Sequence, residues 1–233
     1  VRRSVELDRR FEHKRLQLRS TEDGPTEVGG LILEPGYRRH PSKGGKALSI
    51  VRFAFIAAHP DRFEREVIAE MLSVFDAPGE NRLWDAFGRR FTGLSYREAD
   101  HLSATNRRFI ADLFPRDPVY ATLFPEDVRT RIGQADAPAA IRILEKVGFH
   151  YLGQVDPFDG GPYYGASRNA IRSVRERREL VLPAVAREAE DLEGPQALLA
   201  AEGAEGLRAT VVHLDYDGSP PVPKEMRKAM GGA

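Results

Sequence analysis

Residues 27–59, EVGGLILEPGYRRHPSKGGKALSIVRFAFIAAH, decide the fold. They begin as an apolar strand, residues 27–33, with Gly29-Gly30 at its centre. Glycine weakens a strand and marks either a plain bulge or the close approach of a ligand or another backbone. Both readings stay open at this point. Glu34-Pro35-Gly36 ends the strand, and Tyr37, Arg38, Arg39, His40 and Lys43 make the next loop basic as far as Gly44-Gly45. A solvated loop would account for those charges without a ligand. A helix is predicted from about Lys46 to Ala58, apolar on nearly every side except along Lys46, Ser49 and Arg52. Such a helix is buried between other elements, so its polar line must face solvent or a polar ligand, with Lys46 the expected contact. Strand, basic glycine turn and helix start together make an anion site, because unpaired N–H groups and the positive end of the helix dipole converge there.

Composition limits what else the chain can be. With 233 residues it has room for one core or for a core and a small second unit. Lysine plus arginine and aspartate plus glutamate balance at 35 each, so no global field draws nucleic acid or an anionic membrane. Cysteine is absent, which excludes disulfides, thiolate catalysis and sulfur-ligated zinc. No run reaches the roughly 18 apolar residues of a membrane span, and a cytoplasmic protein is expected. The chain starts without methionine and reaches a strand pattern almost at once, as a trimmed or shortened relative of a longer protein would.

The flanking sequence supplies the remaining elements. Residues 1–15 are charged and without period, a frayed arm. Residues 16–19 alternate, and Glu22-Asp23-Gly24-Pro25 turns them into a hairpin with residues 27–33. Residues 67–76, VIAEMLSVFD, read as a buried strand. Leu83, Trp84, Phe87 and Phe91 lie at helical spacing and form a core stripe. Ser95 and Glu98 make a capping box for a helix over 96–102, a further helix spans 105–114, and Pro125-Glu126-Asp127 opens another. Residues 134–155, QADAPAAIRILEKVGFHYLGQV, read as a helix ended by Gly148 and then a strand. A turn-rich loop, DPFDGGP at 156–162, precedes a charged helix over 169–180 whose Arg172, Arg175, Arg177 and Arg178 are a solvated face. A strand over 207–216 and a helix over 224–230 complete a small appended unit. No histidine pair has metal spacing, and no metal is expected.

Two pieces carry a family resemblance. The strand, basic glycine turn and buried helix come first, and Ala140 to Phe149, AIRILEKVGF, resembles the helix-to-strand segment of GNAT N-acyltransferases. Longer stretches resemble the arginine N-succinyltransferase family: EVGGLILEPGYR, VIAEML, LWDAFGRRF, FIADLFPRDPVY, IGQ, LEKVGFHY and VDPFDGGP. The resemblance runs from about residue 16 to the end. It implies an α/β (α+β) fold: a GNAT-like mixed twisted sheet with helices on both faces, spanning 1–153, plus a small β-rich C-terminal domain over 154–233. It also implies that the first strand and helices of the GNAT fold are missing.

The activity implied is transfer of succinyl from succinyl-CoA to the α-amine of arginine, with small-molecule partners, no nucleic acid or membrane, and a homo- or hetero-oligomer. The cofactor would lie on Gly29, Gly30 and Leu31, beside the thioester, and on Lys43, Gly44, Gly45, Lys46 and Ala47, at the pyrophosphate. The family's catalytic histidine falls on Asp136. Histidine, with a pKa of about 6.5, can protonate a leaving thiolate at neutral pH; aspartate, near 3.9, must be strongly desolvated to do so. Aspartate is instead a good helix cap where one is needed, so the cap is the preferred reading of Asp136. The lost histidine also keeps open a non-catalytic or regulatory relative, and the altered FDGGPYYG loop an acyltransferase with another amine or acyl donor.

Overall fold

The computed structural model describes residues 1–38, 44–77, 79–180, 194–204, 206–214 and 220–229. The basic loop at 39–43, including Lys43, lies outside them. Two compact units are distinguished: Val1–Glu27, Ile68–Arg142 and His150–Gly165 form the first, and Val28–Val67, Ile143–Phe149 and Ala166–Ala233 the second. Both draw on chain from either side of residues 153 and 154, where the sequence reading draws a domain boundary.

The first unit opens with an antiparallel hairpin, β1 (Arg2–Ser4) and β2 (Arg9–Phe11), in place of the expected frayed arm. The pattern there is too short and too charged to reveal a strand. Next, β3 (Arg15–Leu16) does not form the expected hairpin with the segment after Pro25. It pairs instead with β6 (Val119–Tyr120), Leu16 opposite Val119, while Leu18 packs into the aromatic core. The main sheet holds four strands in the order β4 (Thr26–Glu27), β5 (Glu66–Glu70), β8 (Pro162–Ser167) and β7 (His150–Val155). The antiparallel β7–β8 register shifts between Tyr151 and Val155, where Gly153 takes a φ of 69°. The strand predicted over 27–33 ends at Glu27, and Gly30 beyond it leaves the extended conformation with a φ of 64°.

Aromatic packing makes the core of this unit. Trp84, Ala99, Ile110, Phe114 and Phe158 are buried together, and the Trp84 and Phe158 ring centroids lie 4.6 Å apart. Trp84 begins a π-helical turn, Trp84–Gly88, that runs into α2 (Arg89–Thr92). The predicted stripe is therefore core at Leu83 and Trp84, half-buried at Phe87 and exposed at Phe91. The Ser95 capping box opens α3 (Tyr96–Ser103) as expected, Glu98 N–H donating to Ser95 Oγ and Ser95 N–H to Glu98 Oε2. Then come α4 (Arg108–Leu113) and α5 (Glu126–Arg129).

In the second unit α1 (Gly44–Ala58) is the central helix. It packs against α7 (Arg172–Arg175) and the hairpin of β9 (Gln196–Gly203) and β10 (Gly206–His213). Its Phe53 meets Phe149 with ring centroids 5.5 Å apart. Phe149 follows α6 (Pro138–Lys146), whose end is closed as predicted: Gly148 at φ 105°, with Gly148 N–H on Glu145 O and Phe149 N–H on Leu144 O. The charged helix expected over 169–180 shrinks to α7, because Ile171 and Val174 are its buried anchors and the arginines beyond have no apolar face to hold them. Among the described residues the last helix, α8 (Lys224–Ala229), packs on β9 and β10. Among the described residues no helix is long and apolar enough to cross a membrane.

Gly88 tests the aromatic core. A Cβ there would sit 2.4 Å from the buried Trp84 ring. Gly88→Ala is expected to destabilise the chain by about 1–3 kcal/mol in urea unfolding, through overpacking.

Candidate functional site

In the second unit the sequence-predicted cofactor residues flank the loop at 39–43. Gly29 and Gly30 are exposed, and no heavy atom lies within 4 Å of where a Gly30 Cβ would stand. Among the described residues no hydrogen bond engages the backbone N–H of Gly29, Gly30 or Leu31. Leu31 is 41% exposed and Ile32 83%. Leu33 turns back to α1, its side chain placed 3.3 Å from where a Gly45 Cβ would be, so glycine lets the segment lie close to the helix start. Gly44, Gly45, Lys46 and Ala47 form the first turn of α1, which contains no acidic residue. Its N–H groups have no partners within the helix, and Lys46 is exposed beside them.

The polar line along α1 behaves differently from expectation further in. Ser49 is buried, and Arg52 folds over it, donating to Ser49 O at 3.2 Å and Ser49 Oγ at 3.3 Å. Burial lowers the Arg52 pKa from its ordinary value. Below the first turn, the polar line is satisfied by the helix itself.

Asp136 stands in the first unit, exposed, on the bend after the Ser73–Ala135 bridge. It does not cap α6. That helix starts at Pro138 and Ala137 O accepts from Ile141 N–H, so the cap position falls one residue after Asp136. Among the described residues nothing bonds to the Asp136 carboxylate.

The same unit holds a group of acidic residues that the sequence reading missed. Carboxylate oxygens of Glu70, Asp156 and Asp159 lie within 4.8 Å of one another. Asp156 is 3% exposed and Asp159 4%, while Glu70 ends β5 half-buried. Asp156 Oδ1 accepts from Phe158 N–H (2.7 Å) and Asp159 N–H (3.1 Å). Asp159 accepts from Gly161 N–H (2.6 Å) and Ser73 N–H (3.0 Å). Tyr163 Oη lies 3.1 Å from Glu70 Oε2 and 3.0 Å from Asp156 Oδ2. Burial, then the neighbouring Asp156, pushes Glu70 up to about 7, against the opposing Tyr163 hydrogen bond. Asp159 is raised by burial, which its two backbone hydrogen bonds oppose. In sequence the DPFDGGP loop shows only turn chemistry, and Glu70 lies 86 residues before Asp156 with no period to connect them.

A surface groove of about 630 Å³ also lies in this unit, between Phe87, Phe91, Tyr120, Leu123 and Phe124. Arg82 on its rim is ion-paired with Asp76 and Asp127. None of the sequence-predicted site residues lines it.

Residues 1–173 match the family model described as arginine N-succinyltransferase beta subunit. A protein named arginine N-succinyltransferase from Yersinia pseudotuberculosis serotype IB (strain PB1/+) is 42% identical over 165 residues, covering 69% of this chain and 46% of the relative. One of the same name from Citrobacter koseri is 35% identical over 206 residues, 87% of this chain and 58% of the relative. The chain thus spans about half the length of these curated relatives. Among solved structures, arginine/ornithine succinyltransferase subunit AI from Pseudomonas aeruginosa superposes with a TM-score of 0.76 at 28% identity, covering 100% of this chain and 67% of that one. The mixed α/β fold expected from sequence is shared with that structure. By the extent of the family match and the identity to its curated members, the chain belongs to the arginine N-succinyltransferase beta subunit family.

Proposed function

We propose that this chain forms the acyl-CoA-binding part of an arginine N-succinyltransferase, which moves succinyl from succinyl-CoA to the α-amine of L-arginine. One observation carries the reading: α1 starts at Gly44 with no acidic residue in its first turn and Lys46 exposed there, and the first N–H groups of a helix have no partner within it. Anions bind helix starts of this kind. Gly44, Gly45, Lys46 and Ala47 hold the pyrophosphate, with Lys43 adding charge from the loop. The N–H groups of Gly29, Gly30 and Leu31 serve the thioester, polarising the carbonyl oxygen as negative charge develops on it. The neutral amine adds to that carbonyl, a C–N bond forms, the C–S bond breaks, and the amine proton leaves as the thiolate gains one. The β9–β10 hairpin is proposed to belong to the small β-rich C-terminal part expected from sequence. Assembly with further copies or a partner subunit is part of the same proposal, supported by the family model's description as a subunit.

A second reading, a non-catalytic subunit, is favoured by Asp136. Its exposed carboxylate stands where the resemblance calls for histidine.

Free thiol release from succinyl-CoA with arginine tests the first reading; release above background is expected, and its absence with CoA binding intact contradicts it. Gly45→Leu, crowding Leu33 at the helix start, is expected to raise the CoA dissociation constant on the order of tenfold. An unchanged constant contradicts the assigned turn. Asp136→His separates the readings. If the native chain is a non-catalytic subunit, the histidine raises thiol release by about tenfold or more, whereas equal rates contradict that reading.

A further inference from the structure

We propose that Glu70, Tyr163 and Asp156 share one proton, and that its loss loosens the turn over residues 156–161 from β5, making this turn a pH-sensitive latch. The argument starts from a count of hydrogens. The Tyr163 hydroxyl has one hydrogen but lies within hydrogen-bond distance of two carboxylates, 3.1 Å from Glu70 and 3.0 Å from Asp156. With both carboxylates ionised, one of those contacts sets lone pair against lone pair. A proton on Glu70 resolves it: Glu70 donates to Tyr163 Oη, and Tyr163 donates to Asp156 Oδ2. Asp156 is the acceptor end, because its Oδ1 already takes two backbone N–H groups.

The surroundings favour the proton on Glu70. Asp156 and Asp159 face it from the turn and Tyr163 from β8, with Tyr96 at the start of α3 part of the same electrostatic neighbourhood. Arg107, before α4, is the only cation that opposes them among the causes acting on Glu70. Burial and the two aspartates outweigh it, consistent with Glu70 titrating at about 7. The latch has something to hold. Gly160 O accepts from Gly133 N–H at 2.9 Å, and Met71 N–H donates to Pro162 O at 3.1 Å, so the turn joins β5 to the stretch that leads to Asp136. This inference rests on the first unit's geometry and stands apart from the succinyl-transfer reading.

The sign follows from linkage. A carboxyl whose folded pKa is raised contributes stability fully present below its unfolded value, 4.5, and lost as pH rises through about 7. The test pairs a carbon-13 carboxyl titration of the full chain with amide hydrogen exchange of residues 158–161, corrected for intrinsic rates, at about pH 5.5 and about pH 8.5. Expected are a Glu70 resonance, identified by its loss in Glu70→Gln, with a midpoint above about 6, and protection that falls at least about tenfold in the native chain and is retained in Glu70→Gln. A midpoint below about 6, protection unchanged with pH in the native chain, or an equal fall in both proteins overturns the proposal. Should Glu70→Gln not fold, Glu70 is identified by selective labelling, and the native chain's midpoint and protection decide the outcome.

Discussion

Asp159 is the tie on which the first unit depends. Its carboxylate accepts the N–H groups of Ser73 and Gly161, and its main-chain oxygen accepts from Asn81 Nδ2, 2.8 Å away. Asn81 in turn receives the Trp84 N–H at 2.8 Å. A short chain of hydrogen bonds thus runs from the β7–β8 turn to the π-helical turn that seats the buried indole. Each bond removed without replacement leaves a buried group unpaired, at roughly 1–3 kcal/mol. The geometry also dictates the neighbouring residue: a Cβ at Gly161 would stand 2.0 Å from Met71 O, so only glycine brings the turn this close to the strand end. The same approach crowds Glu70 and Asp156 around Tyr163, and a shared proton is the consequence.

The second unit is organised by packing around one helix. Phe53, Ile56 and Ala57 give α1 a buried face, and Phe149, Ile171 and Val174 are buried in the same unit. Arg168 fixes the turn that follows the helix, its guanidinium donating to Pro60 O and to Phe63 O. His59 at the end of α1 lies 3.1 Å from Glu202 on β9, an ion pair when the imidazole is protonated and more specific than the helix-dipole contact its position implies. These contacts hold the helix by its middle and end. Its first turn has no intrahelical partners for its N–H groups and no acidic residue, which is the condition an anion site requires.

What was legible in the sequence is what local chemistry determines. The helix of the opening stretch, the Ser95 capping box and the Gly148 terminator each depend on residues within one or two turns of each other, and each stands where the spacing put it, though only Ser49, Phe53, Ile56 and Ala57 of that helix are buried. The short strands were not legible: β3 finds its partner more than a hundred residues away, and Leu16 and Leu18 fit a local hairpin equally well until Val119 and the aromatic core compete for them. Asp136 misled for a related reason. Aspartate two residues before a helix resembles a cap, but Pro138 occupies the first helical position and moves the cap to Ala137. The carboxylate group around Tyr163 was invisible because tertiary structure alone brings Glu70 to the turn. The family could be recognised because its motifs are local; the protonation chemistry could not, because it depends on burial.

The central claim is that the start of α1 binds the pyrophosphate of an acyl-CoA. A crystal structure of the chain soaked with succinyl-CoA tests it most directly. The account predicts pyrophosphate density at the N–H groups of Gly44, Gly45, Lys46 and Ala47, with the pantetheine arm along Gly29, Gly30 and Leu31. Bound cofactor with its pyrophosphate elsewhere, or no cofactor at saturating concentration, would contradict it.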